Sequence, residues 1–214
     1  MHPAERDVPI ANLKIHHVQA IRKVVLYVVA AIGIFVFAVT NSIAPSGSVA
    51  HEMIEWTGIV LIVICILGRT WSSLYIGGRK IEELVTLGPF SITRNPLYFF
   101  SFVGAAGVGC QLGSVLMGII CAALAYVVFL LVVKQEEQLL ADRFGDAYRD
   151  YLARVPRFLP NPRLWRDEPT LLIRPPRVLT TFGDALVFLL SVPIAEMFEY
   201  FQEIGVIPVL LHLP

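Results

Sequence analysis

Two adjacent carboxylates, Glu136 and Glu137, stand where an apolar run over residues 114–133 gives way to charge. Upstream, Asn95 and Pro96 form a helix start. Asn is a preferred N-cap, and Pro suits the first helical position because its missing N–H would be unpaired there anyway. Such a start presents unpaired backbone N–H groups and a positive dipole end, which suit an anion. Tyr98, Tyr148 and Tyr151 add rings with polar tips, and Arg69, Arg94 and Arg157 add fixed positive charge. Together these groups could hold a small zwitterion that carries a carboxylate, an ammonium group and a further cationic centre. The same residue types also suit a solvated membrane boundary with no chemistry, and type alone does not separate the two readings.

Composition narrows the setting. Of 214 residues 56 % are hydrophobic and only 16 % charged, and the mean hydropathy of +0.69 is too high for a soluble globule of this size. The formal net charge is zero, so no global field draws in nucleic acid, and no nucleic-acid partner is expected. Cys65, Cys110 and Cys121 lie in apolar runs without metal-type spacing and read as small buried hydrophobes. The pair His16 and His17 offers too few ligands for an ion, so no metal is expected.

The elements that must position the polar groups are greasy helices. Residues 24–39 are continuously apolar, close to the roughly 20 residues a bilayer helix needs. They are longer than the roughly 7–15 residues of a signal-peptide core and read as a retained anchor. Residues 1–23 carry a pattern suited to a short helix on the membrane surface. Further spans are expected over about 53–76, 96–111, 114–134 and 178–195, with a cytoplasmic segment over 135–177 that includes a lid loop. Arg69 falls inside the second span, where it either snorkels or functions, and Trp71 and Tyr75 beyond it read as interfacial aromatics. Residues 40–51 read as a loop. The fourth helix is expected to run on into water, with Leu140, Phe144, Tyr148, Tyr151, Leu152 and Val155 on one face and a bend at Gly145. The last apolar run is barely long enough to cross, and a re-entrant hairpin is the alternative. The expected fold is therefore an all-α integral membrane protein of about five spans forming a single domain.

Every Lys and Arg falls before residue 24, between Arg69 and Arg94, or between Lys134 and Arg177. Five spans with an inside N-terminus put all of that charge on one face, the expected cytoplasmic bias. Asn95, Glu136 and Arg157 then meet at that face, and a bacterial inner membrane is the expected location.

Two blocks carry a family resemblance. The first is Gly88, Pro89, Phe90 and Ser91, followed by Arg94, Asn95, Pro96, Leu97 and Tyr98. The second is Glu136, Glu137, Leu140, Phe144, Gly145, Tyr148 and Tyr151, closing on residues 155–160. In this order, with an apolar hairpin between, they resemble the isoprenylcysteine carboxyl methyltransferase family and its phospholipid N-methyltransferase relatives. The resemblance implies a multi-span helical fold and S-adenosylmethionine as cofactor, held by Asn95, Pro96, Leu97, Tyr98 and Glu136, with Gly107 and Gln111 lining the same pocket. It implies methyl transfer to a lipid-like or prenylated acceptor, a carboxylate or an amine, drawn from the bilayer. Glu137, Arg94 and Tyr98 are then the candidate catalytic residues, and Arg69, Tyr148 and Arg157 the candidate acceptor contacts. Asn95 stands where the family has His and cannot titrate near neutral pH. Val132 stands where enzymes acting on isoprenylcysteine carry Arg, which puts that substrate in doubt. The alternatives are a non-catalytic membrane partner that keeps the fold, and a membrane reductase of related architecture.

Overall fold

The computed structural model describes residues 33, 35, 37–76 and 83–214. The expected surface helix, most of the first expected span and part of the connection after residue 76 lie outside the described residues. A short strand, β1 (Thr40–Ser42), precedes the first long helix, α1 (Val49–Ile76). Ser48 starts α1 as its N-cap, its hydroxyl oxygen accepting from the His51 N–H at 3.3 Å. At 28 residues α1 is about 42 Å long, enough to cross a bilayer.

After a one-turn helix, α2 (Pro89–Ile92), the chain enters α3 (Pro96–Cys110). Pro96 takes the first helical position as expected, but Asn95 makes no side-chain cap. At 15 residues, about 22 Å, α3 is shorter than the hydrocarbon core, so the third expected span is a short apolar helix. It lies antiparallel against α1 at very close range. A Cβ on Gly107 would sit 2.6 Å from the Gly58 carbonyl oxygen, which is how small residues let helix backbones touch.

Ser114 caps α4 (Val115–Phe144), accepting from the Met117 N–H at 3.2 Å. The helix runs about 45 Å, past any bilayer core, and breaks where Gly145 adopts φ 55°. Beyond the break α5 (Asp146–Arg154) packs Tyr148, Tyr151 and then Val155 against Leu140, Phe144 and Leu84. The bend and the apolar face read from the sequence are both present.

The last helical run, Pro175–Glu203, consists of α6 (Pro175–Leu186), a 3₁₀ stretch (Val187–Leu190) and α7 (Ser191–Glu203). Pro193 explains the interruption, because it has no N–H for the Leu189 carbonyl four residues back. At 29 residues the run passes well beyond residue 195, where the expected span ended. It also proceeds in one direction, against the re-entrant alternative. The chain then closes with β2 (Leu211–Leu213), which pairs in parallel with β1, Thr40 opposite Leu211 and Ser42 opposite Leu213. Part of the expected 40–51 loop is thus a strand, and the fold is helical with a two-stranded sheet rather than purely α. Three-residue strands are too short to show an alternating pattern.

Among the described residues three helices, α1, α4 and the Pro175–Glu203 run, are long and apolar enough to cross a membrane. Their outer faces keep Trp56, Leu67, Ile119, Leu131 and Leu179 exposed, a lipid-facing surface. The bundle has two distinct ends. One gathers residues 83–98, 136–151 and 156–167; the other gathers β1, β2, His51, Gln111–Ser114 and the C-terminus.

Candidate active site

The first end is organised by the segment after α5. Residues 156–167 fold back along residues 88–95 and are fastened over their whole length. The Arg94 N–H donates to Pro156 O at 2.9 Å, the Thr93 hydroxyl to Phe158 O at 3.0 Å, and the Asn161 N–H to Ile92 O at 2.9 Å. The Arg166 N–H reaches the Ser91 hydroxyl at 3.0 Å, and the Gly88 N–H reaches Arg166 O at 2.7 Å. Trp165 stacks on Trp71 with ring centroids 5.7 Å apart, and the Tyr75 hydroxyl donates to Asp167 at 3.0 Å. Trp71 and Tyr75, expected as interfacial aromatics, therefore pin this strap. The Asn95 amide, left free of capping, donates to Arg157 O at 3.1 Å.

The strap brings Arg157 onto Glu137. The guanidinium donates to both carboxylate oxygens, at 2.8 and 3.2 Å, and Arg94 approaches the same group at 3.2 Å. Glu137 is 8 % exposed, so this is a largely buried carboxylate held between two arginines. Its hydrogen bond to Glu137 is the main influence raising the Arg157 pKa above its ordinary value. Glu136, one position on and about 100° around the helix, accepts from the Tyr98 hydroxyl at 3.1 Å. Tyr148 is pushed up to about 12, first by burial and then by the Glu137 charge, so its hydroxyl stays protonated. Burial likewise raises Tyr151, whose hydroxyl donates to Phe90 O at 2.6 Å.

A cleft of about 50 Å³ lies among these groups. It is lined by Arg94, Asn95, Pro96, Leu97, Tyr98, Glu136, Glu137 and Tyr148, eight of the residues singled out in the sequence, brought together from both blocks. Residues 83–85 form another wall that the sequence did not single out. Arg157 lines a second space. This is an open groove of about 950 Å³ between α1, α3 and α4, walled by Ile54, Leu61, Phe99, Phe102, Ala122 and Tyr126 and closed at one end by residues 156–159. Cleft and groove are divided by the Arg157–Glu137 pair and an aromatic cluster. Tyr98 packs on Phe129 at 4.8 Å and Phe102 on Phe158 at 5.1 Å.

Three of the expected residues lie elsewhere. Gly107 and Gln111 are about 16 and 22 Å along α3 from its start. Gly107 packs on Gly58 and Ile62, and the Gln111 amide donates to Glu55 O at 3.1 Å, so both serve the α1–α3 contact. Arg69 bonds the Ser101 hydroxyl at 2.5 Å between α1 and α3 and lines neither space. The groove had no sequence signal beyond the small residues of α3, because its walls come from helices far apart in the chain.

Residues 53–147, which contain the first block and the second as far as Gly145, match the family model described as PEMT, phospholipid methyltransferase. Over 94 residues the chain is 29 % identical to the protein-S-isoprenylcysteine O-methyltransferase of Schizosaccharomyces pombe, covering 44 % of this chain and 40 % of that protein. The chain belongs to the phospholipid methyltransferase family. With its apolar helices, this membership makes it an integral membrane protein. Longer similarities link this family member to two proteins named for metal resistance. It is 33 % identical to the nickel-cobalt-cadmium resistance protein NccN of Alcaligenes xylosoxydans xylosoxydans, over 73 % of each chain. It is 29 % identical to the cobalt-zinc-cadmium resistance protein CzcN of Cupriavidus metallidurans, over 78 % of this chain and 77 % of that one. No solved structure matches the chain significantly.

The donor set of the cleft fits the cofactor this family implies. A carboxylate with a tyrosine hydroxyl suits an ammonium or ribose hydroxyls, and a helix start suits a carboxylate. The volume is another matter: about 50 Å³ is the room of one or two water molecules. That is less room than the whole cofactor needs.

Proposed function

We propose that this protein is an S-adenosylmethionine-dependent methyltransferase of the membrane, acting on an acceptor with a long apolar tail and a carboxylate or amine head. The observation that carries the reading is the juxtaposition of a polar cleft, built from the two family blocks, with a large apolar groove across a shared Arg157–Glu137 wall. When bound, S-adenosylmethionine supplies the methyl group and the sulfonium that makes it transferable. Glu136, Tyr98 and the N-terminus of α3 hold the polar cofactor from the cleft side. The groove orients the apolar acceptor, and such alignment provides most of the acceleration in a transfer of this kind. Arg157, at the groove's end, faces an incoming head group. Both oxygens of Glu137 already accept from guanidinium N–H groups, which commits it to positioning Arg94 and Arg157. A carboxylate acceptor, which needs no proton removed, suits this arrangement better than an amine.

The arginine-rich end faces the cytoplasm in this reading, in keeping with the positive-inside bias. A reporter fused after Pro214 should then read outside and one inserted near Pro162 inside; the reverse result inverts the protein. The relatives named for nickel, cobalt, zinc and cadmium resistance suggest that the methylated product serves cells under divalent-metal stress.

Two observations favour a second reading, a membrane partner without activity. Asn95, in the family's His position, spends its amide on the Arg157 carbonyl, and the cleft is small. Calorimetry of S-adenosylmethionine on the purified protein separates the two readings. Saturable binding that Glu136→Gln weakens supports the enzyme, and no binding at millimolar cofactor leaves the partner.

A further inference from the structure

The opposite end of the bundle holds a cluster that the methyl-transfer reading does not use. His51, in the first turn of α1, is 2 % exposed. Its Nε2 lies 3.3 Å from the Glu55 carboxylate, one helical turn on, and 3.0 Å from Glu199 on α7. These distances are close enough for an ion pair, yet neither ring nitrogen of His51 and not Oε1 of Glu199 has a hydrogen-bond partner. The ring is aimed between two carboxylates at ion-pair distance, with neither contact aligned as a hydrogen bond. Its place is fixed from behind. Ser48 holds the backbone N–H, and the ring lies against Gly113, where any Cβ would strike it.

The charge around it has one sign. Glu52 and Glu196 are near enough to act on Glu55, and Glu203 on Glu199. Residues 41–68, 95–133 and 178–214, which build this end, contain no Lys or Arg. Among the described residues, this buried imidazole faces two carboxylates with only further carboxylates around them, and the cluster has no basic partner. Zinc-type ions bind His nitrogen and carboxylate oxygen at about 2.0–2.2 Å in tetrahedral geometry, which sets ligand atoms about 3.3 Å apart. The donor atoms of His51, Glu55 and Glu199 all lie within 4.8 Å of one another, and the two distances from Nε2 are 3.0 and 3.3 Å. Glu55 and Glu199 keep 27 % and 17 % side-chain exposure, so an ion can arrive from solvent.

We propose that His51, Glu55 and Glu199 form a binding site for one divalent transition-metal cation of the zinc or cobalt type, with its remaining coordination position open to water. The site lies at the end opposite the methyl-transfer cleft and does not depend on it. One nitrogen and two oxygen ligands favour such ions over Mg²⁺ or Ca²⁺, which take oxygen only.

The test uses the full chain, purified in detergent, stripped with chelator and equilibrated with Zn²⁺ or Co²⁺. The expected result is about one ion per chain by elemental analysis and a tetrahedral Co²⁺ visible spectrum. Glu199→Gln should weaken affinity at least about tenfold, since even outer-shell partners of a metal ligand are worth that much. His51→Gln should abolish binding, and Glu136→Gln at the far end should leave it unchanged. Should His51→Gln fail to fold, Glu199→Gln decides alone. Absence of binding at micromolar metal, or stoichiometric binding that Glu199→Gln does not weaken, would overturn the site and leave a buried ion pair.

Discussion

The two ends of this bundle treat buried charge in opposite ways. At the cleft end Glu137 is matched by Arg94 and Arg157, and the strap over residues 156–167 is stitched to residues 88–95 by backbone and side-chain bonds. At the other end His51 sits among carboxylates with no basic side chain on the segments that build it. The first end balances its buried charge with its own side chains. The second is incomplete until a cation arrives. A buried charge keeps its place only when something compensates it, so the compensation seen, or missing, tells what each end is for.

The comparison can be broken most forcefully at Glu137. Glu137→Ala removes the group that neutralises two arginines, and stability should fall by about 3–5 kcal/mol in chemical denaturation. Glu199→Gln in metal-free protein should be neutral or stabilising, because it relieves repulsion and strands no cation. Equal losses at the two positions would erase the distinction between the ends.

A smaller effect is expected between them. Gly107→Val forces a side chain into the α1–α3 contact and should cost about 1–3 kcal/mol of stability. The folded fraction should bind S-adenosylmethionine as the parent does. A specific loss of cofactor affinity would instead return Gly107 to the pocket the family resemblance implies.

Glu136→Gln sharpens the cleft end itself. It keeps size and removes charge, and should weaken cofactor binding by about 1.5 kcal/mol, roughly tenfold in Kd, with folding retained. Unchanged affinity would reduce the Tyr98–Glu136 bond to a solvated helix end.

The smallest effect is a pH dependence. Tyr148 is raised from 10 to about 12 by burial, so between these values the unfolded chain loses a proton that the folded chain keeps. This contribution is whole below pH 10 and is lost as pH rises toward 12. Thermal unfolding followed at about pH 9 and about pH 11 should show a steeper alkaline decline for the parent than for Tyr148→Phe.

What could be read along the chain was whatever depends on near neighbours. Three- and four-residue periodicity placed the apolar face of Leu140, Tyr148 and Val155, Gly145 announced the break, and Pro96 announced the start of α3. The two motif blocks named eleven residues that do line one cleft, among them Arg94, Tyr98, Glu136 and Tyr148. Segment length and composition marked the three long apolar helices, though not where the last one ends.

Tertiary structure alone decided the rest, because the partners are distant in sequence and share no pattern. Only the folded chain shows that Asn95 bonds Arg157 instead of capping its helix, that Gly107 packs on Gly58, and that residues 40–42 and 211–213 form a sheet. The His51 cluster is the clearest case. His51 and Glu55 look like an ordinary first turn of a span, and Glu199 like a solvated acid, until antiparallel packing of α1 with the Pro175–Glu203 run sets His51 and Glu199 3.0 Å apart. Sequence determines which residues can share a helix face; only packing determines which faces meet.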